Sequence, residues 1–159
     1  MVIIRRIFRW ALTHLAALGI GFAAGIYWLP IWTAPQSPTL EDVLAASREG
    51  LFQGTFRRDL ADSDVLHWGE GKVWVGTKHI TFQGQLAPGP DYKLYLSPEF
   101  VETEEAFQRL KPLMAKIAEV KTFDQFIVEV PAHIDPRDYT TVIVWCEAFR
   151  QFITSARYR

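Results

Sequence analysis

Outside the first forty residues, the side chains able to carry redox or metal chemistry near neutral pH are few: Cys146, the only cysteine, and His67, His79 and His133. Cys146 closes the run TTVIVWC, which is apolar in both of its alternating sets. That pattern predicts a central strand buried on two sides, with Val142, Val144 and Cys146 on one face and Ile143 and Trp145 on the other. A small buried thiol is first of all a space-filling apolar residue. It can also be oxidised, which needs access and a favourable pKa, or it can ligate a metal. A blue-copper centre takes two histidines and commonly a methionine close after its cysteine, and neither type follows Cys146. A haem or another metal held between Cys146 and His67 stays open, because sandwiched strands bring distant residues together.

His67 lies in DVLHWGEG, beside an aromatic residue and before a turn, where an imidazole can face a pocket. His79 alternates with Ile80 and is expected to face solvent with Thr81 and Gln83, and His133 falls in the loop AHIDPRD. The acids Glu102, Glu104 and Glu105 suit a helix N-terminus electrostatically rather than catalysis. There is no G-x-S-x-G elbow, no H-E-x-x-H, no C-x-x-C and no C-x-x-C-H. The glycines of GEGKVWVG have neither phosphate-loop nor dinucleotide spacing and read as a tight turn between strands. These absences make an enzyme the less favoured class.

The elements that must position these residues follow from the hydropathy pattern. LFQGTFRR, KVWVG, HITFQ, YKLYLS, FIVEV and TTVIVWC are short β-branched and aromatic runs separated by Gly, Pro and Asp. They predict a mainly antiparallel β-sandwich with short helices over residues 51–159. SPEFVETEEAFQRLKPLMAKIAEV reads as a helix interrupted near Pro112, on the spacing of Phe107, Leu110, Leu113 and Ile117. A second helix is expected after Cys146, from Phe149, Phe152 and Ile153. TLEDVLAASREG, within the linker and short helix at 33–50, has Thr39 as cap and Gly50 as stop.

The first forty residues obey a different rule. Arg5, Arg6 and Arg9, in a basic segment at 1–9, precede 23 uncharged residues from Trp10 to Trp32. As a helix that stretch crosses a bilayer core of about 30 Å. Bulky Tyr27, Trp28 and Ile31 and the proline at 35 argue against cleavage, so the stretch reads as an uncleaved signal-anchor. The arginines place the N-terminus in the cytoplasm and residues 33–159 outside, periplasmic in a bacterium. His14, near the basic end, can reach the headgroups. Ala17, Gly21 and Gly25 form a small-residue stripe, a face on which a partner helix of a membrane-protein complex can pack, or one that simply meets membrane lipid. Beyond residue 40, 14 basic and 18 acidic residues leave a net charge of −4, which does not suit nucleic-acid binding.

Three blocks, GTFRRDLADSDVLHWGEGKVWV (54–75), APGPDYKLYLSP (87–98) and DYTTVIVWCEAF (138–149), resemble the DM-thirteen domain, a small extracytoplasmic β-sandwich related to the DOMON domain. The resemblance implies a redox or electron-transfer module whose motif cysteine falls on Cys146 and motif histidine on His67, with the acidic turn on Gly89, Pro90 and Asp91. The chain departs from the pattern in having no glycine from Lys93 to its end. The expectation is a membrane-anchored redox domain with Cys146 and His67 as its pair and Trp68, Asp91 and Trp145 around the pocket. A non-catalytic accessory subunit of a larger membrane complex is the alternative. Ligand binding through Trp68, Trp74 and Tyr95 is a third reading.

Overall fold

The computed structural model describes residues 2–159; Met1 of the expected basic segment lies outside the described residues. The chain opens with a helix, α1 (Val2–Thr33), followed by α2 (Leu40–Ser47). Eight strands then make two antiparallel four-stranded sheets. The strands are β1 (Phe52–Phe56), β2 (Gly69–Val75), β3 (His79–Leu86), β4 (Tyr92–Ser97), β5 (Ala115–Val120), β6 (Gln125–Glu129), β7 (Thr141–Cys146) and β8 (Gln151–Arg157). One sheet runs β1-β2-β3-β6 and the other β5-β4-β7-β8, so the expected β-sandwich is present. One short helix, α3 (Glu104–Leu110), lies between β4 and β5.

The core between the sheets is built from alternating inward positions. Phe56, Phe82 and Phe126 form an aromatic row with ring centroids 5.4 and 5.1 Å apart, facing Leu94, Leu96, Val142 and Val144 of the opposite sheet. A second cluster fills the far side of the β4–β7–β8 sheet. There Phe107 of α3 stacks on Trp145 with centroids 3.8 Å apart and planes 6° from parallel, and Tyr95 meets Phe107 edge-on at 5.2 Å. These two clusters explain why all six residues of β7 are buried.

The first sheet is also covered on its outer side. Thr39 and Asp42 form a reciprocal capping box that starts α2, and α2 packs Val43 against β3 and β6. Thr81 is therefore 1% exposed and His79 half-buried, where alternation alone had put both in solvent.

Three local readings are corrected. Ser97 ends β4 rather than opening a helix; α3 starts at Glu104 with Thr103 as its cap, and after a 3₁₀ turn at Lys111–Leu113 the chain becomes β5. Pro112 ends the helical ladder, and pairing with β4 then outweighs the helical spacing of Ile117. The expected helix after Cys146 is β8. Its ladder with β7 shifts between Val144 and Trp145, and this bulge together with Phe149 in the preceding turn mimics helical spacing. Gly69 and Gly71 belong to β2 itself. Gly71, at φ 136°, lies opposite Gly84, and a Cβ on it would stand 2.3 Å from the Gln83 carbonyl oxygen.

Because Phe107 roofs the outer face of β7, Phe107→Ala should cost about 3–5 kcal/mol, as aromatic deletions from packed cores do. Urea unfolding of the variant should show a midpoint shift of that size, with Phe107→Leu intermediate.

Candidate functional site

Cys146 is the last residue of β7, on the face that looks into the sandwich, where the inter-sheet core runs out toward one end. A four-residue turn, Glu147–Arg150, reverses the chain there, with Arg150 in the left-handed region at φ 56°. This turn lies beside the sulfur, and the backbone of Phe149 and Ala148, with that of Asp91 in the neighbouring loop, is near enough to favour its thiolate. Cys146 is 3% exposed. Burial pushes its pKa above the ordinary thiol value, and these backbone groups only partly offset this.

Tyr92 sits directly across the ladder from Cys146 on the same face. Its hydroxyl donates to the Ala87 carbonyl at 2.8 Å, and burial, with Cys146 and Tyr27 nearby, drives its pKa far upward. Gly89 admits the Tyr92 ring, since a Cβ there would lie 2.5 Å from it. The β8 bulge aims Ile153 toward the same region.

His67 reaches this end of the sandwich from the loop between β1 and β2. Asp64 holds the loop as an Asx turn, one carboxylate oxygen accepting from the backbone N–H groups of Leu66 and His67, each at 2.7 Å. The other oxygen lies 2.9 Å from His67 Nδ1. Burial works to raise the Asp64 pKa, but the bonds from the His67 ring and from the Leu66 and His67 backbone outweigh it and hold the carboxyl below its usual value. An ionised carboxylate only accepts, so Nδ1 carries the hydrogen and Nε2 is left as the ring's free nitrogen.

Cys146 and His67 line one cavity of about 590 Å³, within the range of small-molecule sites. Its far wall is not part of the sandwich: Ile20, Ala23, Ala24 and Tyr27 of α1 close it, at the spacing of a single helix face. The lining is almost wholly apolar.

The other residues expected at the pocket are placed elsewhere. Trp145 lies on the opposite face of β7, fully buried against Phe107. Trp68 is covered by the Arg58 guanidinium, 3.3 Å from its ring centroid, and Arg58 is itself held by Glu70 at 2.9 Å. Asp91 turns its carboxylate to Lys93 at 2.8 Å, so only its backbone serves the sulfur. His79 stands at the start of β3 and His133 is exposed in its loop. Asp64, Tyr92 and the α1 wall were not anticipated. Of these, only Asp64 had a local signal, an aspartate three residues before the histidine in a turn-forming stretch.

The donor set bears on the haem or metal expectation. Among the described residues no three His, Cys, Asp or Glu side chains gather where a metal ion would sit, so the closed ligand set of a structural metal centre is not provided. No lysine or arginine lines the cavity to pair with the carboxylates of a haem.

One helix, Ile3–Thr33, is long and apolar enough to cross a membrane. The profile of a family described as electron transfer DM13 matches residues 59–158. No curated protein and no solved structure matches the chain.

The raised Cys146 pKa has a definite sign in stability. Below the unfolded-state thiol value the contribution is fully present; above it the unfolded chain loses a proton the folded chain keeps, and stability falls. Tyr92, Tyr95 and Tyr158, also raised, act in the same direction from a higher starting value of 10.0. Between about pH 8 and pH 9.5 the wild type should therefore lose stability that Cys146→Ala does not. Denaturant titrations of both proteins across that range measure it. Iodoacetamide should label the native thiol far more slowly than the denatured one.

Proposed function

The chain belongs to the electron transfer DM13 family, and from that premise we propose that it is a single-pass, membrane-anchored redox protein in which the Cys146 thiolate attacks a partner's disulfide, forming a mixed disulfide and releasing the partner's second sulfur as a thiol. In this reading α1 is an uncleaved anchor, its arginines stay in the cytoplasm, and the sandwich works on the extracytoplasmic side, periplasmic in a bacterium. The single observation that carries the proposal is the burial of the chain's only thiol in a cavity that it shares with His67.

The arrangement suits a thiol meant to react selectively. The backbone of Phe149, Asp91 and Ala148 favours negative charge on the sulfur when its proton leaves. Burial opposes that loss until a partner arrives, so the resting thiol is protected from adventitious oxidation. His67, fixed by Asp64, supplies a base in the same space.

A docking role in a larger membrane complex draws support from a separate face of α1. A Cβ placed on Gly21 or Gly25 meets nothing within 4 Å, so close approach by a second helix is unobstructed there. That face lies about 110° around the helix from the cavity wall, at roughly 100° per residue. The two roles are therefore compatible in one chain.

Intact-mass spectrometry of the full-length protein in lipid nanodiscs, after incubation with oxidised glutathione, tests the redox reading. A mixed disulfide that dithiothreitol removes is expected in the wild type and none in Cys146→Ser, with secondary structure intact in both. Absence of the adduct from the folded wild type rules Cys146 out as the redox group. C-terminal alkaline phosphatase fusions should be active and C-terminal green fluorescent protein fusions exported without fluorescence; the reverse pattern refutes the topology.

A further inference from the structure

The cavity lies between the sandwich and the half of the apolar stretch 10–32 that is nearer the domain, which puts it at the level of the membrane leaflet on the domain's side. The stretch 10–32 is about 35 Å long as a helix, close to a bilayer core of about 30 Å, so the wall residues from Ile20 to Trp28 lie within the leaflet. The domain's own end is apolar where it meets the helix: Leu66 and Phe149 line the cavity and remain 56% and 48% exposed, and neighbouring Val65 is 89% exposed. Isolated exposed apolar residues are ordinary, but three gathered beside a membrane helix form a rim that meets lipid.

The contents of such a cavity are constrained by its walls. No cation lines it, so an anionic ligand has no partner, and the apolar lining favours a lipophile drawn from the bilayer. His67 brings a ring to this wall, and with one nitrogen engaged by Asp64 at 2.9 Å its Nε2 is the nitrogen left to accept from a ligand. Tyr27, Tyr92 and Phe149 supply aromatic surface against which a flat ring stacks. The geometry points to a membrane-dissolved hydroquinone as the ligand of this cavity, its ring beside Cys146, one hydroxyl donating to His67 Nε2, and its tail running along Ile20–Tyr27 into the lipid. This inference rests on the membrane-anchored redox reading, and it gives that reading a ligand of definite class. The hydroxyl makes the reduced ring the preferred form, since the carbonyl of the oxidised ring offers no hydrogen to a neutral imidazole.

The test uses the full-length protein in nanodiscs, a decyl-tailed benzoquinol and its benzoquinone, and quenching of tryptophan fluorescence, Trp28 being in the cavity wall. Saturable binding is expected, with the quinol favoured by about tenfold, the worth of one hydrogen bond to the half-buried His67 ring. His67→Ala should erase that preference. Ala24→Phe, which fills the cavity from the half-exposed surface of α1, should abolish binding of both forms, and Ala23→Phe serves as a second such variant.

Wild-type affinity in both Phe variants, equal affinity for the two ring forms, or full displacement by n-decanol overturns the proposal. The last outcome would make the cavity a berth for any alkyl chain. Exchange of Cys146 with oxidised glutathione in the absence of quinol separates this inference from its premise. A Cys146 adduct without quinol binding overturns only the ligand, and quinol binding with no adduct on Cys146 overturns only the thiol's role.

Discussion

Burial of β7 on both faces is the constraint on which the rest of the structure depends. A strand with six buried residues needs apolar cover twice, and the chain provides it by two different means. The opposite sheet packs on Val142, Val144 and Cys146, while α3 brings Phe107 down on Ile143 and Trp145. Once those faces are assigned, Cys146 must fall at the end of the inter-sheet core, because the strand stops there and its turn lies beside the sulfur. Neither cover can be shifted by one residue without exchanging the two faces and moving the thiol out of the cavity.

The site is assembled from segments of low regularity held by local polar bonds. Asp64 holds the turn before His67 and the His67 ring, using both carboxylate oxygens, while Asp62 ties the same loop to Glu102 and Glu104. The turn after β7 and the loop carrying Asp91 lie beside the sulfur. Tyr92 links these pieces, pairing with Cys146 across the ladder and bonding back to Ala87. Rigid strands thus set the positions of Cys146 and Tyr92, and two turns bring polar groups to them.

The helix α1 contributes to the site itself. Two of its turns complete the cavity, so the sandwich alone presents only an open apolar recess beside Cys146. A Cβ at Gly21 or Gly25 of the same helix meets nothing within 4 Å.

What the amino-acid order determined by itself was local or periodic. The long uncharged stretch gives a helix long and apolar enough to cross a membrane; the alternation of TTVIVWC gives the two faces of β7, with Trp145 opposite Cys146; Thr39 caps α2. Each depends on residues within a few positions of one another. Tertiary structure decided what depends on distant partners. Ladder pairing turned the spacings around Ile117 and Phe152 into strands, α2 covered Thr81, Arg58 and Glu70 drew Trp68 aside, and α1 became a cavity wall. Hydrophobic period reports which side of an element wants to be buried, and only the packed chain supplies what buries it.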